Sequence, residues 1–353
     1  MYIDGHVHCR DEEEKEKETI AHALLVARDS GVSAIFDIGN LGKNPVISRK
    51  RVLDRFDLAL AADSPVKYFV YIILTKVKEQ VREAVETWRE FFPTNSNERV
   101  GVGGLKMFAG HSTGNCGIIT LEEQLEVDNW LVEFGFDGVK PVHCEEESLI
   151  HPELWNAENP ISHCDVRPEE SEIKSVIQQI NNYNRTKAKY HLEVKHVTTP
   201  EVVKIINDNK GKMRISSEVC PRNLLLDNRV MLGSNRIMYK VNPPLRSLDT
   251  RAGLLNCFLR REIDTLSTDH SPHTYEDKTV KHLSGMPGLA SWPDFVEMLI
   301  ERGASQELID YTAFYRINQI YGLNISRLNL LVKRGVHLGE YVIDPFISLK
   351  TVV

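Results

Sequence analysis

Across the 353 residues there is no apolar run long enough to span a bilayer, so a membrane-spanning helix is not expected. The opening stretch, MYIDGHVHCRDEEEKEKE, does not read as a secretory signal. Cysteine is sparse: its six residues are scattered and form no C-x-x-C pair, which argues against a disulfide framework and for reduced thiols in the cytoplasm. Basic charge is in deficit, with 43 Lys and Arg against 50 Asp and Glu for a net −7, and no basic stripe stands out. Nucleic acid is therefore not expected as the main partner. No internal repeat and no long Gly/Ser- or Pro-rich linker divides the chain. What is present is a core-forming composition, 42% apolar and 26% charged, which excludes disorder, collagen and coiled coil. Histidine stands out, at 13 residues.

Short β-branched runs alternate with longer helical stretches. Strands are expected at Tyr2–His8, Ser33–Asp37, Lys67–Leu74, Val102–Phe108, Gly138–His143, Lys189–His196, Met213–Glu218 and Glu262–Thr268. Helical periodicity marks, among others, Glu14–Asp29, Lys76–Phe91, Leu121–Phe134, Glu169–Tyr183 and Pro200–Asp208. Near-continuous apolar runs such as KYFVYIIL suit a parallel sheet buried on both faces. Eight strands in this alternation predict a TIM-type (β/α)8 barrel, although pattern alone leaves a doubly wound open sheet open. The charged run Asp11–Lys17 reads as a solvated helix start.

Polar residues gather at the strand ends. His6 and His8, two apart in the first strand, share a face, and two adjacent imidazoles can hold one divalent metal. Lys106 ends the fourth strand, His143 the fifth and His196 the sixth, and Asp269 follows the eighth. In a barrel these carboxyl ends open on one face, where active sites form.

The same residues carry a family likeness. The H-x-H pair, a Lys at strand four, His at strands five and six and Asp at strand eight together resemble the amidohydrolase superfamily. Further motifs resemble its cyclic-amidohydrolase branch, and within it the dihydroorotases. His8-Cys-Arg10 is similar to the end of H-x-H-x-R, Asp37-Ile-Gly-Asn40 to a D-M-P-N turn, and Arg167-Pro-Glu-Glu-Ser-Glu172 to R-P-x-x-x-E. Lys240-Val-Asn242-Pro-Pro-Leu-Arg246 is close to K-x-N-P-P-L-R, Asp269-His-Ser-Pro-His273 to D-H-A-P-H, and Gly285-Met-Pro-Gly288 to the G-[ILM]-P-G loop. There are departures. Glu218-Val-Cys-Pro-Arg222-Asn223-Leu stands where the family has E-V-T-P-H-H-L, so Arg222 and Asn223 are either rim residues or replacements for the His pair. The resemblance implies a barrel over residues 1–334 and, in residues 335–353, a C-terminal tail that is at most a remnant of the small β domain. The N-terminal sandwich strands are expected to be absent.

The resemblance also implies a chemistry: reversible conversion of N-carbamoyl-L-aspartate to L-dihydroorotate in pyrimidine biosynthesis. His6, His8 and Asp269 would hold one zinc ion, and His143 and His196 a second. An ammonium cannot bridge two cations, so Lys106 would have to be carboxylated to serve as the bridging ligand; unmodified, it implies a single ion. Asp269 is the expected catalytic base. Arg10 offers a planar fork for a substrate carboxylate, and the resemblance adds Asn40, His273 and Asn242 to the substrate contacts. Ser112 and Thr113 lie on a loop that could close over the substrate. The partner is thus a small carboxylate-bearing molecule, with neither nucleic acid nor membrane, and a homodimer is implied by likeness alone. Allantoinase, and hydantoinase or dihydropyrimidinase, are the neighbouring alternatives; a non-catalytic barrel that scaffolds a pyrimidine-pathway enzyme is the alternative of another class. His22, His151, His282 and His337 have no motif context and are expected at the surface, whereas His111, His191 and His270 are expected as hydrogen-bonding neighbours of the site.

Overall fold

Among the described residues nine strands form, all paired in parallel: β1 (Tyr2–Val7), β2 (Val32–Ile38), β3 (Lys67–Ile73), β4 (Val100–Ala109), β5 (Gly117–Ile118), β6 (Val139–Cys144), β7 (His191–Val194), β8 (Ile215–Val219) and β9 (Thr265–Leu266). The computed structural model describes residues 1–93, 97–111, 116–232 and 236–341. Eight strands run in the order β1-β2-β3-β4-β6-β7-β8-β9, and β5 pairs beside β4. A parallel bridge from Val7 to His270 brings the chain after β9 back to β1. The result is the expected (β/α)8 barrel, nearly closed.

Alternation along the strands sorts side chains into two apolar layers. Phe36, Phe69, Tyr71 and Ile73 share an inner cluster, while Ile35, Tyr68, Val70 and Ile72 pack with the surrounding helices. Phe314, Ile317, Ile320 and Tyr321, from the helical segment near the C-terminus, join the inner cluster and cover Ile3 and Ala34. Two glycines in β4 are required by close approach. A Cβ on Gly103 would come within 2.5 Å of the Phe36 ring, and one on Gly104 within 2.3 Å of the Val139 carbonyl oxygen. Ser and Thr caps set the entry of the outer helices: Thr19, Ser48, Thr120, Thr199 and Ser247 each accept a backbone N–H of the first turn.

Two elements differ from the sequence expectation. The helix expected from Glu14 begins only at Ile20, where Thr19 caps it and Asp11 Oδ2 accepts from Ile20 N at 2.8 Å. Arg10, Asp11 and Glu12 have φ of 44°, 75° and 52°, so the Asp11–Lys17 run is a loop with one 3₁₀ turn and not a helix start. The last strand is regular only over Thr265–Leu266. Thr268 leaves the ladder and donates to Asp4 through its N–H (3.0 Å) and its hydroxyl (2.6 Å), which fastens strand β1 to the chain after β9. Residues 335–341 form turns, and the rest of the expected tail lies outside the described residues, as do Ser112 and Thr113. Among the described residues no helix is long and apolar enough to cross a membrane.

Candidate active site

At the carboxyl ends of the strands, β1 delivers His6 and His8 to one carboxylate. His6 Nε2 and His8 Nε2 both lie 3.1 Å from Asp269 Oδ1. The opposite nitrogen of each ring is already engaged. His6 Nδ1 is 2.7 Å from Glu218 Oε1, and His8 Nδ1 is 2.7 Å from Asn40 Oδ1 and 3.2 Å from the Ile38 carbonyl. Those acceptors place the ring proton on Nδ1, so both Nε2 lone pairs face the Asp269 side. A second imidazole pair stands beside the first: His143 Nδ1 and His196 Nε2 are 3.0 Å apart, and the His6 and His196 ring centroids are 5.4 Å apart. Glu145 Oε2 lies 2.9 Å from His143 Nε2 and is itself held by Arg167.

Burial sets the electrostatics of this cluster. Loss of solvent lowers the His6 pKa to about 4, against the pull of Asp269 and Glu218. Burial also pushes the Asp269 carboxyl up, but His6, Arg222 and His8 outweigh it and hold that pKa well below the carboxylate range. Lys106 is fully buried, with no hydrogen-bond partner for Nζ, which sits 4.9 Å over the Phe108 ring. Desolvation, with Lys195 as a second cationic neighbour, lowers its pKa to about 7. Three site residues, Arg10, His196 and Asp269, have left-handed backbones, with φ of 44°, 42° and 50°. Such conformations cost on the order of 1–3 kcal/mol each and persist where the surroundings enforce them.

A narrow cleft opens onto the cluster. His6, His8, His143, His196 and Asp269 line it, as do Asn40 and Asn242. Asn40 both faces the cleft and holds His8, while Asn242 Oδ1 is 2.9 Å from His163 Nε2. Arg10 and His273 stand behind that lining. Arg10 Nη2 donates to Ser271 Oγ at 2.6 Å and lies 3.4 Å from His273 Nε2, and its Nε donates to the Pro272 carbonyl.

Several residues that matter here had no assigned role in the sequence reading. Glu218 orients His6, and Lys195, 2.7 Å from both Glu193 and Glu218, anchors it within the barrel. Arg222 is not a bare rim residue: its Nη2 is 2.5 Å from Asp269 Oδ2, and its Nη1 donates to the Thr268 carbonyl at 2.9 Å. The R-P-x-x-x-E and N-P-P-L-R motifs turn out to brace the site. Arg167 holds Glu145; Glu172 accepts from both Thr198 N–H and hydroxyl; and Arg246 reaches Thr198 Oγ1 and the Arg167 carbonyl. His337, expected at the surface, is buried against Asp29, and His22 is half-buried.

The chain is thus a parallel barrel with His, Lys and Asp gathered toward the carboxyl ends of its strands, where barrel enzymes carry their active sites. No family model matches this chain. It is 26% identical over 341 residues to a dihydroorotase of Staphylococcus epidermidis, covering 93% of this chain and 74% of the relative. It is 32% identical over 287 residues to a dihydroorotase of Thermococcus kodakarensis, covering 81% of this chain and 59% of the relative. Among solved structures, the L-hydantoinase (dihydropyrimidinase) from Arthrobacter aurescens superposes with a TM-score of 0.79 at 20% identity, over 95% of this chain and 74% of that one. The chain thus spans roughly three-fifths to three-quarters of the length of these relatives. These sequence relatives are dihydroorotases and the structural neighbour is a hydantoinase; the chain is similar to all three over most of its length, and the structural likeness is one of fold.

Proposed function

We propose that the chain is a dihydroorotase-like cyclic amide hydrolase that interconverts N-carbamoyl-L-aspartate and L-dihydroorotate. The observation that carries this reading is the convergence of His6 Nε2 and His8 Nε2 on Asp269 Oδ1, with the His143–His196 pair alongside and the sequence relatives behind it.

The donor set fits a divalent metal. Imidazole lone pairs and one carboxylate oxygen within 4.8 Å of one another are zinc ligands by type, and the Nδ1 acceptors of His6 and His8 are the outer partners that metal-binding histidines use. His6, His8 and Asp269 would hold one ion, and His143 and His196 a second, with carboxylated Lys106 as the shared ligand. The neutral fraction of a buried amine with a pKa near 7 is the form that reacts with CO₂. Zinc bound there would supply the Lewis acidity that activates water and polarises an amide carbonyl.

The chain's own residues then divide the work. Asp269 takes the proton of the attacking water and returns it to the ring nitrogen as the amide opens; Arg222 occupies one lone pair of Oδ2 and leaves the other for that proton. Arg10 receives the substrate carboxylate by exchanging its Ser271 and Pro272 contacts for a two-pronged one, with His273 beside it. Asn40 and Asn242, on the cleft wall, contact the ring and its carboxylate. Ring opening by the purified chain across dihydroorotate, allantoin, hydantoin and dihydrouracil tests this. Dihydroorotate is expected to be the preferred substrate, and activity confined to the neutral rings overturns the reading.

A further inference from the structure

A second group of metal-ligand side chains meets where the tail packs on the helix Ile20–Asp29. His22 comes from the first turn of that helix, His337 and Glu340 from the tail. His22 Nε2 lies 2.7 Å and His337 Nδ1 3.0 Å from the same oxygen, Glu340 Oε2, and the three ligand atoms are all within 4.8 Å of one another. The other nitrogen of each ring faces a buried carboxylate. His22 Nδ1 is 2.9 Å from Glu18 Oε1, and His337 Nε2 is 3.0 Å from Asp29 Oδ2.

These carboxylates are fixed from other directions. Glu18 accepts from Tyr341 OH at 2.7 Å and lies 2.6 Å from His270 Nε2, and Asp29 is held by Arg28 and Lys333. A carboxylate on one imidazole nitrogen sets the proton there and turns the opposite lone pair outward, which is the arrangement around metal-bound histidines. Here it turns two lone pairs onto one carboxylate oxygen. Three electron-rich atoms facing one another need positive charge among them: protons on the rings supply it in the absence of metal, as the flanking carboxylates favour at His22, and a single dication displaces those protons and satisfies all three. Two imidazoles and a carboxylate suit a zinc-class ion over magnesium or calcium, with a fourth position left for water on the exposed Glu340 side.

We propose that His22, His337 and Glu340 form a zinc-class metal site that fastens the C-terminal tail to the first helix, and that it is separate from the cluster at the barrel mouth. None of its three ligands belongs to the candidate active site, so the inference stands or falls apart from the reading of that site.

Metal counting on the full chain decides it. The protein, with its barrel mouth loaded, is dialysed against micromolar zinc and its metal per chain determined, beside Glu340→Gln and His337→Gln. The wild type is expected to hold one equivalent more than either variant, with turnover unchanged in Glu340→Gln. With cobalt added after the barrel mouth is filled with zinc, the wild type should show visible absorption in excess of either variant. Glu340 is exposed and glutamine keeps its shape, so circular dichroism of Glu340→Gln matching wild type separates metal loss from unfolding. Equal metal counts in wild type and variants would overturn the proposal and leave an ion-pair network of protonated imidazoles. Loss of turnover together with the equivalent would overturn it too, because the missing ion would then belong to the barrel mouth.

Discussion

Arg222 Nη2 stands 2.5 Å from Asp269 Oδ2, while Oδ1 of the same carboxylate lies 3.1 Å from both His6 and His8. The guanidinium therefore fixes the carboxylate plane and helps keep Asp269 ionised, against the upward push of burial. It thereby sets a permanent cation on the carboxylate proposed to carry the proton.

Arg222→Gln is expected to lower kcat/KM for dihydroorotate by about 10- to 100-fold, the range for lost outer partners of a metal site. Its diagnostic is the pH profile. As the proposed base, Asp269 must be ionised, and its pKa is depressed in the folded chain, so activity should be lost as pH falls through that pKa. Removing Arg222 raises the pKa and moves the acidic limb of kcat/KM to higher pH. An unmoved limb would assign Arg222 to packing alone.

Arg10→Gln should weaken recognition of carboxylate-bearing rings. A hydrogen bond to a charged group contributes about 1.5–3 kcal/mol, so KM for dihydroorotate should rise by roughly 10- to 100-fold. Any slow turnover of dihydrouracil should stay as it was. Steady-state kinetics on the two substrates distinguishes a carboxylate contact from a fold defect, which would depress both.

Beneath β1, Arg55 and Asp37 form a fully buried pair at 2.5 Å, joined by Tyr68 OH and by Cys9 N–H at 2.9 Å. Arg55→Met strands a buried carboxylate and should cost on the order of 3–5 kcal/mol in stability. Asp37→Asn combined with Arg55→Met should recover part of that loss, as read by thermal or denaturant unfolding. Equal losses in the single and double variants would show that the pair's charge is not what stabilises it.

Lys106→Ala removes the buried amine that the two-ion reading requires. Bound metal should fall toward one ion or none, and most turnover should be lost. A short-chain carboxylic acid, supplying the missing oxygens, should restore part of it. Retention of two ions with normal turnover would contradict the carboxylated bridge.

Much of this was legible in the sequence because the fold and the site both rest on strand ends. Apolar runs such as Lys67–Ile73 announce buried parallel strands, and His6, His8, His143, His196 and Asp269 sit where those strands finish. What was not legible depends on contacts between residues far apart in the chain. Glu218 reaches His6 across 212 positions and Arg222 reaches Asp269 across 47, and neither spacing leaves a periodic trace. The start of the first outer helix was misplaced because charge density over Asp11–Lys17 resembles a helix face, whereas the left-handed backbone at residues 10–12 and the Thr19 cap decide where the helix begins. The tail escaped for the same reason: His337 looks like a surface residue until Asp29 is found beside it.

Turnover of L-dihydroorotate before and after chelation tests the central claim most directly. The account predicts ring opening to N-carbamoyl-L-aspartate by the purified chain, loss of that activity when metal is stripped, and its return on adding zinc. A chain that holds stoichiometric zinc at the barrel mouth yet opens no dihydroorotate, or one that opens it equally well after complete metal removal, would contradict the account.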